Sequence, residues 1–269
     1  MGRRNRRVKR QRRMAFINFA LVVAAIAIIG FTVYSLQPKP YDPRTLCAIS
    51  DALPPHTAII IDKTDEYTPR QAELIADVIR AAGRDLAVGE RLTLFELDAN
   101  GVFDPRGEFS LCNPGRGSQV NPLFRNPKLI EERYAALFER PLEQELSDLV
   151  TPKEAPASPI LEAIARLGQT EAFSTGVPER RLILISDMLQ NSREFSAYGG
   201  AGEMPTSMPL ANEVSERVRA RYGSALGGVN LEVRLIPRDR YVDIQRGGLK
   251  AYWEDIFADL GVADTWRDL

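Results

Sequence analysis

Histidine is almost missing from this chain: of 269 residues only His56 is one, alongside two cysteines and two tryptophans. A Ser-His-Asp triad therefore has a single candidate base. His56 stands between Pro55 and Thr57 at the entry to an apolar run, where a structural role is expected. Cysteine catalysis has as little to work with, since Cys47 lies in a proline-rich stretch. No Gly-x4-Gly-Lys-Ser/Thr phosphate loop occurs. Acids are absent from residues 1–13, and charge of either sign is absent from Met14 to Leu36.

Those two gaps sit back to back. The first is filled by eight basic residues (Arg3, Arg4, Arg6, Arg7, Lys9, Arg10, Arg12 and Arg13). Removing these eight from the chain's 35 Lys and Arg leaves 27 against 36 Asp and Glu, so the remainder is near −9. A mildly acidic body argues against nucleic acid as a partner and suits a cation site better. The uncharged run of 23 residues rises about 1.5 Å per residue, enough for the ~30 Å hydrocarbon core. Dense positive charge before it holds the amino end in the cytoplasm. A cleaved signal peptide expects only ~7–15 apolar residues and a small-x-small cleavage site, which Ser35-Leu36-Gln37-Pro38 does not offer. The expectation is a single-pass inner (plasma) membrane protein with a 1–13 cytoplasmic tail and a 14–36 anchor. Its main domain then lies in the periplasm or an equivalent extracytoplasmic space.

Residues 37–56 read as a linker kept extended by Pro38, Pro40, Pro43, Pro54 and Pro55. Cys47 lies there and Cys112 in a later loop. One disulfide in an oxidising compartment and two separate thiols are both open.

From residue 57 to 269 strand and helix patterns alternate. Ile59, Ile60 and Ile61 form a strand covered on both faces. Thr68-Pro69-Arg70-Gln71 is a helix start with a Thr cap, proline in the first turn and Gln three residues on. Leu74, Ile75, Val78, Ile79 and Ala82 mark that helix's inner face, and Gly83 is its expected stop. Strands follow at Arg91–Leu97, at Glu108–Cys112 as an edge strand, at Arg181–Ser186 and at Val229–Leu235. Helices are expected over Lys128–Val150 with a break at Pro141, over Ile160–Leu167, over Asn212–Tyr222 and over Gly248–Leu260. Turns are expected at Asn100-Gly101, Asp104–Gly107 and Asn113–Gly117. Tyr252, Trp253 and Phe257 read as core, and Arg238-Asp239-Arg240 as a solvated turn, with a contact role as the alternative. This order predicts an α/β domain with a doubly wound, mostly parallel sheet and helices on both faces.

Parallel strands bring their carboxyl ends to one edge, where ligands bind. Asp62, Thr64 and Glu66 follow the first strand, with Asp65 among them. Ser158 is the expected cap of the helix opening with Pro159, and Asp187 closes the strand Leu182–Ser186. Hydroxyl and carboxylate oxygens together form the shell that hard cations such as Mg²⁺ take.

Three pieces, Asp62-Lys63-Thr64-Asp65-Glu66, then Ser158-Pro159-Ile160-Leu161-Glu162, then Ile185-Ser186-Asp187, together resemble the von Willebrand factor A (vWA) domain family. The resemblance spans roughly residues 57–260. It implies a metal-ion-dependent adhesion site (MIDAS) binding Mg²⁺, or Mn²⁺ or Ca²⁺. Thr64 and Ser158 would touch the ion, with Asp62 and Asp187 acting through water. Glu66 departs from the family's Ser and adds a negative charge. The implied function is non-enzymatic: a membrane-anchored module binding a protein partner at the metal edge and at loops 99–127 and 190–208. Two alternatives are a metal-dependent hydrolase or phosphotransferase using Asp62, and a structural domain whose metal site has decayed.

Overall fold

The computed structural model describes residues 2–35, 40–64, 66–97, 109–123, 125–149, 156–199 and 202–269. The expected turns at 100–101 and 104–107, Asp65, and residues 99–108 and 124 of the first expected contact loop lie outside them. Two compact units divide the chain, residues 1–40 and 41–269. The first holds α1 (Gly2–Ser35). Within α1, the 19 residues Met14–Thr32 are long and apolar enough to cross a membrane. They rise about 28 Å, and Phe16, Phe19, Leu21 and Phe31 stand exposed along them.

The second unit is an α/β fold on a mixed six-stranded sheet, β1 (His56–Asp62), β2 (Arg91–Leu97), β3 (Phe109–Cys112), β4 (Arg180–Ser186), β5 (Asn230–Leu235) and β6 (Ala263–Asp268). Their spatial order is β3-β2-β1-β4-β5-β6. All neighbours pair in parallel except β2 with β3. The order reverses between β1 and β4, so a crevice opens outside their carboxyl ends.

β1 is buried along its whole length. Alternate side chains serve two cores, because successive Cβ atoms of a strand point to opposite faces. Ala58 and Ile60 pack with α5 (Ile160–Gln169), α6 (Ala211–Tyr222) and α8 (Gly248–Asp259) around Trp253 and Phe257. Ile59 and Ile61 pack with α2 (Pro69–Asp85) through Ile75 and Ile79, and with Phe138 and Leu142. Burying each isoleucine is worth about 2 kcal/mol.

The α2 start has the expected capping box: Thr68 Oγ1 accepts from Gln71 N at 3.2 Å and Gln71 Oε1 from Thr68 N at 2.9 Å. Gly83 does not stop the helix. It makes room, since a Cβ there would lie 3.0 Å from Leu142 Cδ2. The break at Pro141 is a π-helical turn, Ala135–Glu139, between α3 (Pro127–Tyr134) and α4 (Arg140–Leu149). Proline has no N–H to donate, and the ladder shifts to the wider spacing just before it. Two elements carry no pattern that the sequence analysis detected: the short α7 (Val242–Arg246) and β6. β6 is mostly exposed and held by its backbone pairing to β5.

Cys47 and Cys112 are joined in a disulfide, which ties the segment before β1 to the edge strand β3. Cys112 N also donates to Thr45 O at 2.7 Å.

His56 is buried with both ring nitrogens bonded: Nδ1 donates to Ala172 O at 2.7 Å, leaving Nε2 to accept from Thr93 Oγ1 at 2.8 Å. Burial pulls its pKa down from 6.5 to about 4, against the opposing bond to Ala172. The unfolded chain thus takes up the proton first. Stability from this residue is full above pH 6.5 and falls as pH drops toward 4, by on the order of 3 kcal/mol. His56→Gln is expected to remove that part of the acid slope, read as the wild-type-minus-variant difference in urea unfolding across this window.

Candidate functional site

At the carboxyl end of β1 the chain turns sharply, and the buried Asp62 organises the turn. Its Oδ1 accepts from Thr64 N at 3.1 Å and from Thr64 Oγ1 at 2.6 Å. Its Oδ2 accepts from Ser186 Oγ at 2.7 Å and from Ser158 Oγ at 3.2 Å. Burial pushes the Asp62 carboxyl up, while the bonds from Thr64, Ser186 and Ser158 pull it down. A hydroxyl has one proton to give and two lone pairs. Thr64 and Ser158 each give theirs to Asp62, which leaves their oxygens able to meet a cation.

Ser158 reaches Asp62 because its backbone is clamped. It forms an isolated bridge with Asn191, with N–H···O distances of 3.0 and 2.9 Å. Contrary to expectation it does not cap α5. Pro159 precedes the first helical residue without a side-chain bond, and Gln190 Oε1 takes Leu161 N instead, at 2.9 Å. Ser158 cannot serve both ends, and its hydroxyl is committed to Asp62.

Asp187 follows β4 on a tight turn. Met188 adopts φ +61°, a left-handed conformation unusual for a residue with a side chain. Three groups hold it there: Ser186 Oγ accepts from Met188 N at 2.9 Å, Met188 O accepts from Trp253 Nε1 at 3.0 Å, and Asp187 Oδ1 accepts from Leu189 N at 2.9 Å. The other carboxylate oxygen, Oδ2, accepts from Arg238 Nε at 2.8 Å. Arg238 Nη1 donates in turn to the main-chain oxygen of Glu66. The expected solvated turn at 238–240 is thus a cation seated on the site. Its loop is fixed by the buried Gln245, which donates to Asp187 O at 2.7 Å and Ile236 O at 3.1 Å and accepts from Arg238 N at 2.9 Å.

Among the five residues expected at the metal, Thr64 and Ser158 are each bonded directly to the Asp62 carboxylate. Asp187 adjoins them through Ser186 and lines, with Thr64, a groove of about 1090 Å³. Glu66 is exposed, lines the same groove, and meets Arg238 through its backbone. Lys63, between Asp62 and Thr64, turns into the interior and pairs with Glu96 at 2.6 Å. The groove wall also carries Tyr67, whose buried hydroxyl has no hydrogen-bond partner among the described residues. Burial raises the Tyr67 hydroxyl's pKa, and the charges of Glu96 and Asp62 push it further up. Among the described residues no three His, Cys, Asp or Glu side chains gather as a metal-ligand cluster. The set here mixes two carboxylates with two hydroxyls, a donor chemistry that fits a hard cation.

Sequence reasoning missed the roles of Ser186, Gln190 and Gln245, and it left a contact role for Arg238 only as the alternative to a solvated turn. The available signal for Arg238 was its place just past the end of a parallel strand, beside the one that ends in Asp187.

No protein-family model matches the chain, and no curated protein sequence matches it. Solved structures give distant likenesses. An aerotolerance-related membrane protein from Bacteroides fragilis, carrying multiple mutations to serine, is 14% identical with a TM-score of 0.39, over 80% of this chain and 92% of that one. The conserved hypothetical protein BatB from Bacteroides thetaiotaomicron is 14% identical with a TM-score of 0.37, over 80% and 90%. The pilus adhesin SpaC from Lactobacillus rhamnosus GG, in its open conformation, is 9% identical with a TM-score of 0.40, over 82% and 29%. Likenesses this remote assign no function.

Proposed function

We propose that this chain is a membrane-anchored, non-enzymatic protein-interaction module. Its domain is doubly wound and vWA-like, and it carries a divalent-cation site of the MIDAS kind at the carboxyl edge of the sheet. The observation that carries the proposal is the knot at Asp62, where hydroxyls from two distant loops share one buried carboxylate beside an open groove. Mg²⁺, or Mn²⁺ or Ca²⁺, is the proposed ion, with Thr64 and Ser158 as ligands and Asp62 and Asp187 behind them. When bound it would supply a Lewis-acidic position for a partner's carboxylate. Residues 14–36 are the proposed anchor and the basic tail its cytoplasmic flank. The disulfide supports an extracytoplasmic site for the domain, since cytosolic thiols are kept reduced.

The test uses the full chain in detergent micelles. An ion that binds only the folded state stabilises it by about 2.7 kcal/mol at one hundred times its Kd. Millimolar Mg²⁺ is expected to raise Tm, EDTA to reverse the rise, and Thr64→Val to abolish it. An unchanged Tm in both wild type and variant sinks the metal site. Crosslinking in native membranes, with and without chelator, is expected to capture a protein partner through loops 99–127 and 190–208 only when metal is present.

A further inference from the structure

The cation reading leaves one feature unexplained: a positive charge already sits on the site. Arg238, in the loop that follows β5, bridges the Asp187 and Glu66 arms of the site. Nε bonds the carboxylate of Asp187 at 2.8 Å, and Nη1 bonds the Glu66 carbonyl two residues after Thr64. The bonded Asp187 oxygen is the one left over after Leu189 N has taken the other. Both oxygens are thereby engaged, one by a fixed main-chain amide and one by a side chain that can leave.

Arg238 has room to leave. Its side chain is 21% exposed against 3% for Asp187, and it lines the groove together with Arg240 and Tyr241. A guanidinium is charged at every accessible pH and cannot vacate the site by losing its proton. It can only swing away. A divalent ion held by Thr64 and Ser158 would draw on the same Asp187 carboxylate and repel the guanidinium beside it.

We infer that Arg238 is a built-in competitor for the divalent cation: it closes the metal-free edge by holding Asp187 and the Glu66 loop together, and metal binding expels it into the groove. This rests on the metal reading above and adds its regulation. By linkage, whatever factor the metal loses to Arg238, Arg238's grip on Asp187 loses to the metal. The expelled guanidinium then lies on the groove wall as a donor for an acidic group of the partner, so that metal and partner binding reinforce each other.

The experiment is a Mn²⁺ titration of the full chain in micelles, with free ion read from its electron paramagnetic resonance signal. Wild type, R238Q and R238K are compared. R238Q is expected to bind about tenfold more tightly than wild type, and R238K, which keeps the charge, to stay near wild type. Equal or weaker binding in R238Q, with wild type still binding, overturns the competition and leaves the metal site standing. Absence of saturable binding in all three overturns the metal site and the competition with it. A second readout needs no variant, should R238Q fail to fold. Phenylglyoxal labelling of Arg238 in the wild-type chain, followed by mass spectrometry, is expected to rise several-fold at saturating Mn²⁺. Unchanged labelling at a saturated site overturns the inference.

Discussion

Asp62→Ala is expected to lower the stability of the 41–269 unit by at least about 3 kcal/mol and to abolish its response to divalent metal. Asp62 accepts from Thr64 N, Thr64 Oγ1, Ser158 Oγ and Ser186 Oγ. Truncation strands these buried donors, and each buried donor left without an acceptor costs about 1–3 kcal/mol. Part of that loss is offset, because a carboxylate no longer has to be buried. Asp62→Asn separates the two effects: it keeps the volume but turns an NH₂ group toward hydroxyls that need an acceptor. Urea unfolding followed by tryptophan fluorescence measures both, since Trp253 and Trp266 are the only tryptophans and lie in this unit. A loss below about 1 kcal/mol in Asp62→Ala would mean that the knot around Asp62 does not hold the edge together.

Removing the disulfide is expected to cost still more. Cys47 and Cys112 are 65 residues apart in sequence, and cross-linking a loop of that size removes about 4 kcal/mol of chain entropy from the unfolded state. The double variant Cys47→Ser/Cys112→Ser should lose that amount in the same assay. Reduction of the wild type should reproduce the loss. The bond also reports where the domain lives. Alkylation of intact cells before lysis should leave both cysteines unmodified when the domain is extracytoplasmic, and should label them both if it faces the cytoplasm.

Local chemistry was legible in the sequence, and distant chemistry was not. The Ile59–Ile61 run, the Thr68–Gln71 capping box and the apolar stretch from Met14 are written in adjacent residues whose spacing matches one element each. The convergence of the loops carrying Asp62, Thr64 and Ser158 was expected from parallel strands ending on one edge, and the parallel pairing of β1 with β4 is the arrangement that allows it. Gly83 misled because a glycine that makes room for Leu142 looks the same in sequence as one that ends a helix. Ser158 misled because its spacing suits a cap, while a carboxylate 96 residues away in sequence competes for its hydroxyl. The partners of Arg238 were not legible for the same reason at larger scale, its contact with the Glu66 carbonyl closing a separation of 172 residues. β6 has little apolar alternation to show, being an edge strand made by backbone pairing.

Thr64, Ser158, Asp62 and Asp187 are proposed to share one divalent ion, and an anomalous difference map from crystals grown with Mn²⁺ tests that most directly. The expected map has a single peak in contact with Thr64 Oγ1 and Ser158 Oγ, with Arg238 turned away from Asp187. A map with no peak there, and Arg238 still seated on Asp187 at saturating Mn²⁺, would contradict it.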